Sequence, residues 1–378
     1  MRSFRNLWPQ VVWWNNLLQA YHKCRRRKRF KRDATEFDFR WESNLLDLQR
    51  ALVEGRYQPG PYRHFYIIDP KRRKISAAPF RDRVVHHAVV RVLEPLYERR
   101  FIYDSYACRL GKGTHRALDR AQGYLRRYPY FLKTDIVRFF PNVDHEILLR
   151  LLSRHIQDPR LMDLVTRIIN SGDGVLREEA TPSYFPGDDL LAVLRPTGLP
   201  IGNLTSQFFA NVLLDGIDHF IKEELHIGGY VRYADDLVLF GDDKAQLWQI
   251  RDALQLRLTQ LRLRLHEHKT QVHPSTSDLK FLGFALKRDG CRLPQSSIQR
   301  FRRRVRLLRY QFARRECDCA TIQASLQAWQ AHACRANSAG LFRDLWRNLR
   351  FSRRRSSTSE SVGRARRLHS VANRTAPE

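Results

Sequence analysis

Acidic residues are the scarce charge in this 378-residue chain. Only 39 Asp and Glu stand against 68 Lys and Arg, which leaves a formal charge of +29 and a pI of about 10.5. This imbalance excludes a disordered acidic scaffold and argues against an enzyme for acidic small molecules. It points to a polyanionic partner, nucleic acid ahead of an anionic membrane face. Long apolar runs are also missing: Val11-Val12-Trp13-Trp14 is followed at once by two Asn. Nothing approaches the roughly 20 apolar residues that cross a bilayer. Cys-x-x-Cys pairs are missing too. Cys24, Cys108 and Cys291 stand alone, and Cys317-x-Cys319 with His332 and Cys334 lacks the spacing that wraps tetrahedral zinc. Reduced thiols are the expectation there, with a zinc site as the alternative. These absences together predict an intracellular, soluble, cytoplasmic protein with no membrane partner.

What is present is hydrophobic enough, at 43% of residues, to build a sizeable core in two or three packed subdomains. Residues 6–32 read as an aromatic-rich helix whose end is a basic run, with eight Lys or Arg among the ten residues 23–32. Such a run repels itself unless a polyanion neutralises it, which makes Arg25, Arg26, Arg27, Lys28 and Arg29 candidate nucleic-acid contacts. Trp41, Leu45, Leu48 and Leu52 follow at helical spacing. Residues 62–80 read as a hairpin with a cationic tip at 70–74, residues 82–100 as a helix, and 130–136 as a buried strand carrying Asp135. Residues 171–196, rich in Gly, Pro and Asp, read as a long loop before a helix over 206–221. Residues 228–241 read as a second hairpin, and Leu247, Ile250, Leu254, Leu258, Leu261 and Leu265 as one face of a helix. From 287 onward there are 22 Lys and Arg against 6 Asp and Glu. Phe301, Val305, Leu308 and Phe312 form an apolar stripe there, while Arg302, Arg303 and Arg306 cover the other faces. The Ser- and Arg-rich tail from about 352 has the composition of a disordered segment.

Two features carry chemistry: Asp135 on its strand, and Tyr233-Ala234-Asp235-Asp236 at a hairpin tip. If the strands are neighbours in one antiparallel sheet, the carboxylates converge. Adjacent aspartates at an apolar tip repel each other, and two divalent cations would relieve that repulsion while stabilising the attacking and leaving oxygens of phosphoryl transfer. A lone Tyr-x-Asp-Asp is also an ordinary turn. His86 and His87, adjacent on a helix, point about 100° apart and read as structural.

The order of further segments decides between these readings. Lys71-x-Arg73 with Phe80-Arg81-Asp82-Arg83-Val84-Val85, Ser105-Tyr106-Ala107-Cys108-Arg109-Leu110-Gly111-Lys112-Gly113-Thr114, Leu132-Lys133-Thr134-Asp135-Ile136 through Phe140, the Tyr233–Asp236 tetrapeptide, His266-Glu267-His268-Lys269-Thr270 and Phe281-Leu282-Gly283-Phe284 occur in sequence. In this order they resemble the successive motifs of reverse transcriptases, over roughly residues 40–310. The segment Gly198-Leu199-Pro200-Ile201-Gly202-Asn203-Leu204-Thr205-Ser206-Gln207, together with Arg83-Val84-Val85-His86-His87, resembles the reverse transcriptases of diversity-generating retroelements.

The resemblance implies an α/β (α+β) right-hand polymerase. It would have an N-terminal helical basic extension (1–60), fingers (61–130), a palm (131–286), a helical basic thumb (287–351) and a basic tail (352–378). It implies an RNA-directed DNA polymerase, bacterial, archaeal or phage-encoded, working on template RNA, an RNA–DNA duplex and dNTPs with two Mg²⁺ ions (or Mn²⁺). Asp135, Asp235 and Asp236 would be its catalytic acids, and the Ile136 carbonyl would complete a metal shell. Lys71, Arg73, Arg81, Phe140, Ile201, Gly202 and Lys269 would face the nucleotide, with Phe140 as a steric gate against ribose. Lys269 would protonate the leaving pyrophosphate, or is a solvated helix-end charge. Phe281, Leu282 and Gly283 would form the primer grip. The subfamily implies copying of a template-repeat RNA with errors at adenines, and a small basic ring-forming accessory protein. Ile201 stands where Gln is usual, and an apolar side chain loses a hydrogen bond that would discriminate base pairs. Two alternatives follow: an ordinary reverse transcriptase of a retron, group II or phage-defence type, and a non-catalytic RNA-binding scaffold, which would have lost a catalytic acid.

Overall fold

The computed structural model describes residues 4–26, 28, 30–68, 72–347 and 349–352. Arg27, Arg29, Lys71 and the tail from 353 lie outside the described residues. The chain divides into two compact units at Ser277/Asp278, upstream of the thumb boundary expected at 287.

The first unit opens with helices Trp8–Val12, Trp14–Arg25, Arg32–Asp38 and Trp41–Val53. The single helix expected over 6–32 is therefore interrupted. Pro9 starts the first piece, Trp13 swings to an extended ψ of 132°, and Arg26 does the same at ψ 126°. Leu45, Leu48 and Leu52 are buried as their spacing requires. The hairpin of β1 (Arg63–Ile67) and β2 (Arg73–Ala77) pairs Ile67 with Arg73, and all of β1 is exposed. Helix Phe80–Glu98 runs through the core on Val84, Val85, Ala88, Val89 and Leu93, and packs against Trp14–Arg25 and Leu204–His219.

The main sheet contains β3 (Tyr130–Asp135), β4 (Gly229–Tyr233), β5 (Asp236–Gly241) and β6 (Gln271–Pro274) in the spatial order β4-β5-β3-β6, antiparallel throughout. Helix Thr114–Arg127 packs on β4 and β5, and helix Lys244–Thr259 packs on β5 and β3. Residues Leu237 to Gly241 of β5 are buried in succession, so this strand reads as a continuous apolar run. The helix expected through Leu265 stops at Thr259. Arg262 takes a left-handed φ of 57°, and Leu265 pairs with Ile136 in an isolated bridge that extends the sheet beside Asp135.

The second unit is a three-stranded antiparallel meander, β7 (Leu279–Phe281), β8 (Phe284–Lys287) and β9 (Gly290–Arg292), followed by helices Gln295–Ala313, Cys319–Ala333 and Ala339–Arg347. Phe301, Val305, Leu308 and Phe312 are buried, and Phe301 stacks on Trp329 with centroids 3.7 Å apart. The described residues thus form a mixed helix-and-sheet protein with antiparallel sheets, the class expected from the sequence. No helix among them is long and apolar enough to cross a membrane.

Candidate active site

Strand pairing alone brings the acids together. Asp135, the last residue of β3, lies directly opposite Asp236, the first residue of β5, and Asp236 lies opposite Tyr233 on β4. Directly opposed residues of an antiparallel pair project on the same face. Asp235 sits in the tight β4–β5 connection behind Ala234, whose φ is 56°. The Asp235 carbonyl accepts a hydrogen bond from the Ile136 N–H at 3.3 Å, so the turn is tied to the strand that carries Asp135.

The electrostatics fit a crowded acidic centre. Burial, reinforced by the charges of Asp236 and Asp135, pushes the Asp235 carboxyl up to about 6. Burial raises Asp236 as well, and Lys133 partly offsets it. Arg73, at the start of β2, lowers both, which places its charge within range of the two acids. Lys269 Nζ donates to Asp135 Oδ2 at 2.6 Å, while Asp135 Oδ1 is buried without a hydrogen-bond partner among the described residues.

Among the described residues, no three His, Cys, Asp or Glu side chains form a ready-made metal cage. The orphaned Asp135 oxygen and the carboxyls of Asp235 and Asp236, both raised by burial and by the charge of Asp135, are a fitting oxygen donor set. The zinc alternative at Cys317, Cys319, His332 and Cys334 gains no support: among the described residues no three such side chains are grouped to hold a metal ion, and the His332 ring packs on Phe284 at 4.5 Å.

The nucleotide-loop candidates split. Ser76 N–H on β2 donates to the Ile201 carbonyl at 2.9 Å. Asn203 clamps the same region, donating to Ser76 and Pro200 carbonyls and accepting from Ala78 N–H. Gly202 has φ +116°, and a Cβ there would meet Ile75 Cγ2 at 2.8 Å, so close approach of the loop to β2 requires glycine. Phe140 is half-buried and its carbonyl accepts from Leu199 N–H at 2.8 Å, which joins it to the Ile201 loop; Phe139 is wholly core. Arg81 is engaged elsewhere, donating to the Gln58 carbonyl at 3.0 Å and lying over the Tyr57 ring. Arg25 is likewise held by Asp38, while Arg26 is exposed and Lys28 half-buried.

In the second unit, Leu282 (φ 49°) and Gly283 (φ 84°) form the β7–β8 turn after Phe281. Arg302, Arg303 and Arg306 are exposed on their helix, with Arg302 3.3 Å from Asp344. His86 is buried and neutral, its pKa lowered to about 3 by desolvation, in keeping with a structural histidine.

Sequence reasoning missed the support beneath the acids. Arg232 and Asp218 are both wholly buried and joined by a two-pronged ion pair. A charged residue in the buried face of a strand was the available signal, since Arg is almost never fully buried unless paired.

Comparison with known proteins gives the family. The family model described as "Reverse transcriptase (RNA-dependent DNA polymerase)" matches residues 69–286. Protein YkfC of Escherichia coli (strain K12) is 27% identical over 297 residues, 67% of this chain and 74% of that protein. Group II intron-encoded protein LtrA of Lactococcus lactis subsp. cremoris is 23% identical over 313 residues, 65% of this chain but only 50% of its own length. Nuclear intron maturase 2, mitochondrial, of Arabidopsis thaliana is 29% identical over 138 residues, 32% of this chain and 19% of that protein. With the family model covering more than half of the chain and its acids paired across one sheet, the protein belongs to the reverse transcriptase family of RNA-directed DNA polymerases.

Proposed function

We propose that Asp135, Asp235 and Asp236 are the catalytic acids of template-directed DNA synthesis and the carboxylate ligands of two Mg²⁺ ions, with the Ile136 carbonyl as a further ligand. The observation that carries this reading is the register Asp135↔Asp236, with Asp235 in the adjoining turn. When bound, the metal pair supplies acidification of the primer hydroxyl and charge neutralisation at the triphosphate. The chain's own groups do the rest. Lys269, now held on Asp135 Oδ2, is placed to carry a proton to the leaving pyrophosphate. Arg73 faces the triphosphate charge, and Phe140 excludes a ribose 2′-hydroxyl. Primer extension on an RNA template with Mg²⁺ and dNTPs tests the assignment; full activity of Asp235→Ala would overturn it. Phe140→Ala is expected to admit ribonucleotides by at least about 10-fold, and unchanged sugar selection would remove Phe140 from the gate.

The finer reading is a diversity-generating retroelement enzyme that makes error-prone cDNA at template adenines. It would reside in the cytoplasm and work with a small basic ring-forming partner. Its support is Ile201, held by its backbone carbonyl on β2 and presenting an apolar side chain where family members usually place Gln. Sequencing the cDNA decides it. Errors concentrated at adenines and reduced by Ile201→Gln support it; a flat, low error rate favours an ordinary reverse transcriptase of the kind suggested by the intron-encoded relatives.

A further inference from the structure

The turn that carries Asp235 has an unusual foundation. Arg232 on β4 and Asp218 on helix Leu204–His219 are each 0% exposed. Arg232 Nε and Nη2 donate to the two Asp218 oxygens at 2.7 and 2.6 Å. Nη1 donates to Asn211 Oδ1 at 3.0 Å and to the Ala234 carbonyl at 3.2 Å. Tyr230 Oη donates to Asp218 Oδ1 at 2.8 Å, and Asn211 Nδ2 donates to the Ala107 carbonyl at 2.9 Å. The Arg232 backbone is fixed as well: its N–H donates to the Asp104 carbonyl, and its carbonyl accepts from Tyr106 N–H, both at 2.9 Å.

A buried ion pair of this kind is poor at adding stability, because removing both charges from water costs about as much as their attraction returns. What it supplies is direction. Ala234 is a non-glycine residue at φ 56°, a conformation that alanine avoids. Its carbonyl is held by Nη1, and Asp235 and Asp236 are the next two residues.

We infer that Arg232, locked by Asp218, is a positioning residue for the polymerase reaction. It fixes the Ala234 peptide so that the carboxylates of Asp235 and Asp236 are aimed at the position opposite Asp135. The inference rests on the assignment of those aspartates as metal-binding acids. Supports beneath metal ligands are worth about 10- to 100-fold in affinity or activity.

The test uses the full chain carrying Arg232→Met, Asp218→Leu and Tyr230→Phe together, so that no charge or hydroxyl is left orphaned. Expected is a folded protein by circular dichroism, with duplex affinity within about 2-fold of wild type and dNTP KM within about 3-fold. Its kcat falls by about 10- to 100-fold, and Mn²⁺ binding in the absence of nucleotide, read by electron paramagnetic resonance, weakens by about 10-fold. Arg232→Lys, which keeps a cation opposite Asp218 but cannot span both Asp218 and the Ala234 carbonyl, is expected to lose kcat and Mn²⁺ affinity in the same sense. It decides the matter if the triple variant does not fold. Wild-type kcat and Mn²⁺ affinity in whichever of these variants folds overturn the inference. Asp235→Ala in parallel separates the two levels: its inactivity keeps the site assignment whatever Arg232 does, and its activity removes that assignment itself.

Discussion

Arginine serves two opposite purposes in the two units. Arg232 is sealed beneath the acidic hairpin, with its guanidinium bonds directed to Asp218, Asn211 and the Ala234 carbonyl. Arg302, Arg303 and Arg306 lie exposed on a helix whose opposite face is buried through Phe301, Val305 and Leu308. The same guanidinium chemistry gives geometry when water is excluded and gives sequence-blind attraction to phosphate when it is not. Net charge therefore says little about where chemistry happens. Of 68 basic residues, a buried one, Arg232, donates to the Ala234 carbonyl in the turn beside Asp235.

The contrast between the two units breaks most sharply at the acids. Asp235→Ala is expected to cut primer extension by about 1,000-fold. The metal-free protein should become more stable, since the carboxyl removed is one that burial and Asp236 push up to about 6. A rise in Tm of roughly 2–4 °C in a thermal scan without divalent ions would show this trade of stability for function. A lower Tm would mean the acid is structural. Next in size is the single substitution Arg232→Met, which strands Asp218 in the core. Urea unfolding is expected to show a loss of about 3–5 kcal/mol, whereas a loss below about 1 kcal/mol would show that water reaches the pair.

Arg302→Gln with Arg303→Gln and Arg306→Gln probes the outer arginines. Their removal is expected to weaken duplex binding and to reduce the slope of log affinity against log salt by about 1 for each phosphate no longer neutralised. Maximal rate at saturating duplex should stay within about 2-fold of wild type. A changed kcat with an unchanged salt slope would move these side chains out of the phosphate-binding role.

Most of this frame was legible in the sequence. The β1–β2 hairpin, the β3 strand, the β4–β5 hairpin and the apolar stripe Phe301–Phe312 follow from aromatic, β-branched and apolar runs bounded by turns and from helical spacing, which depend only on neighbours in the chain. Asp135 at the end of an apolar strand and Asp235-Asp236 in an apolar hairpin marked the candidate acids, and the order of the surrounding motifs set them apart from ordinary turn residues. The break at Trp13 was not legible, because Trp14–Arg25 is set by packing against helix Phe80–Glu98. Nor was the diversion of Arg25 to Asp38 and of Arg81 to the Gln58 carbonyl: each partner arrives from another element. Arg232–Asp218 was hidden for the same reason, since the pair joins a strand to a helix and a lone Arg next to Tyr233 looks like one more basic residue.

The smallest expected effect concerns acid, and it sets the core histidine against the site acid. Burial lowers His86 to about 3, whereas an unfolded histidine titrates near 6.5, so between those values the unfolded chain binds more protons. Its contribution to stability is complete above about pH 6.5 and declines as pH falls, by up to about 1.4 kcal/mol per pH unit. Asp235 has the opposite sign. Its carboxyl is raised to about 6, so the folded state takes up the proton first, and lowering the pH through 6 relieves strain. Urea unfolding of the metal-free protein from pH 7 to pH 5 is expected to show a net decline. His86→Phe should flatten it and Asp235→Asn should steepen it. Parallel pH profiles for wild type and His86→Phe would show that some other group carries the acid sensitivity, since a histidine that opens to solvent before unfolding no longer distinguishes the two states.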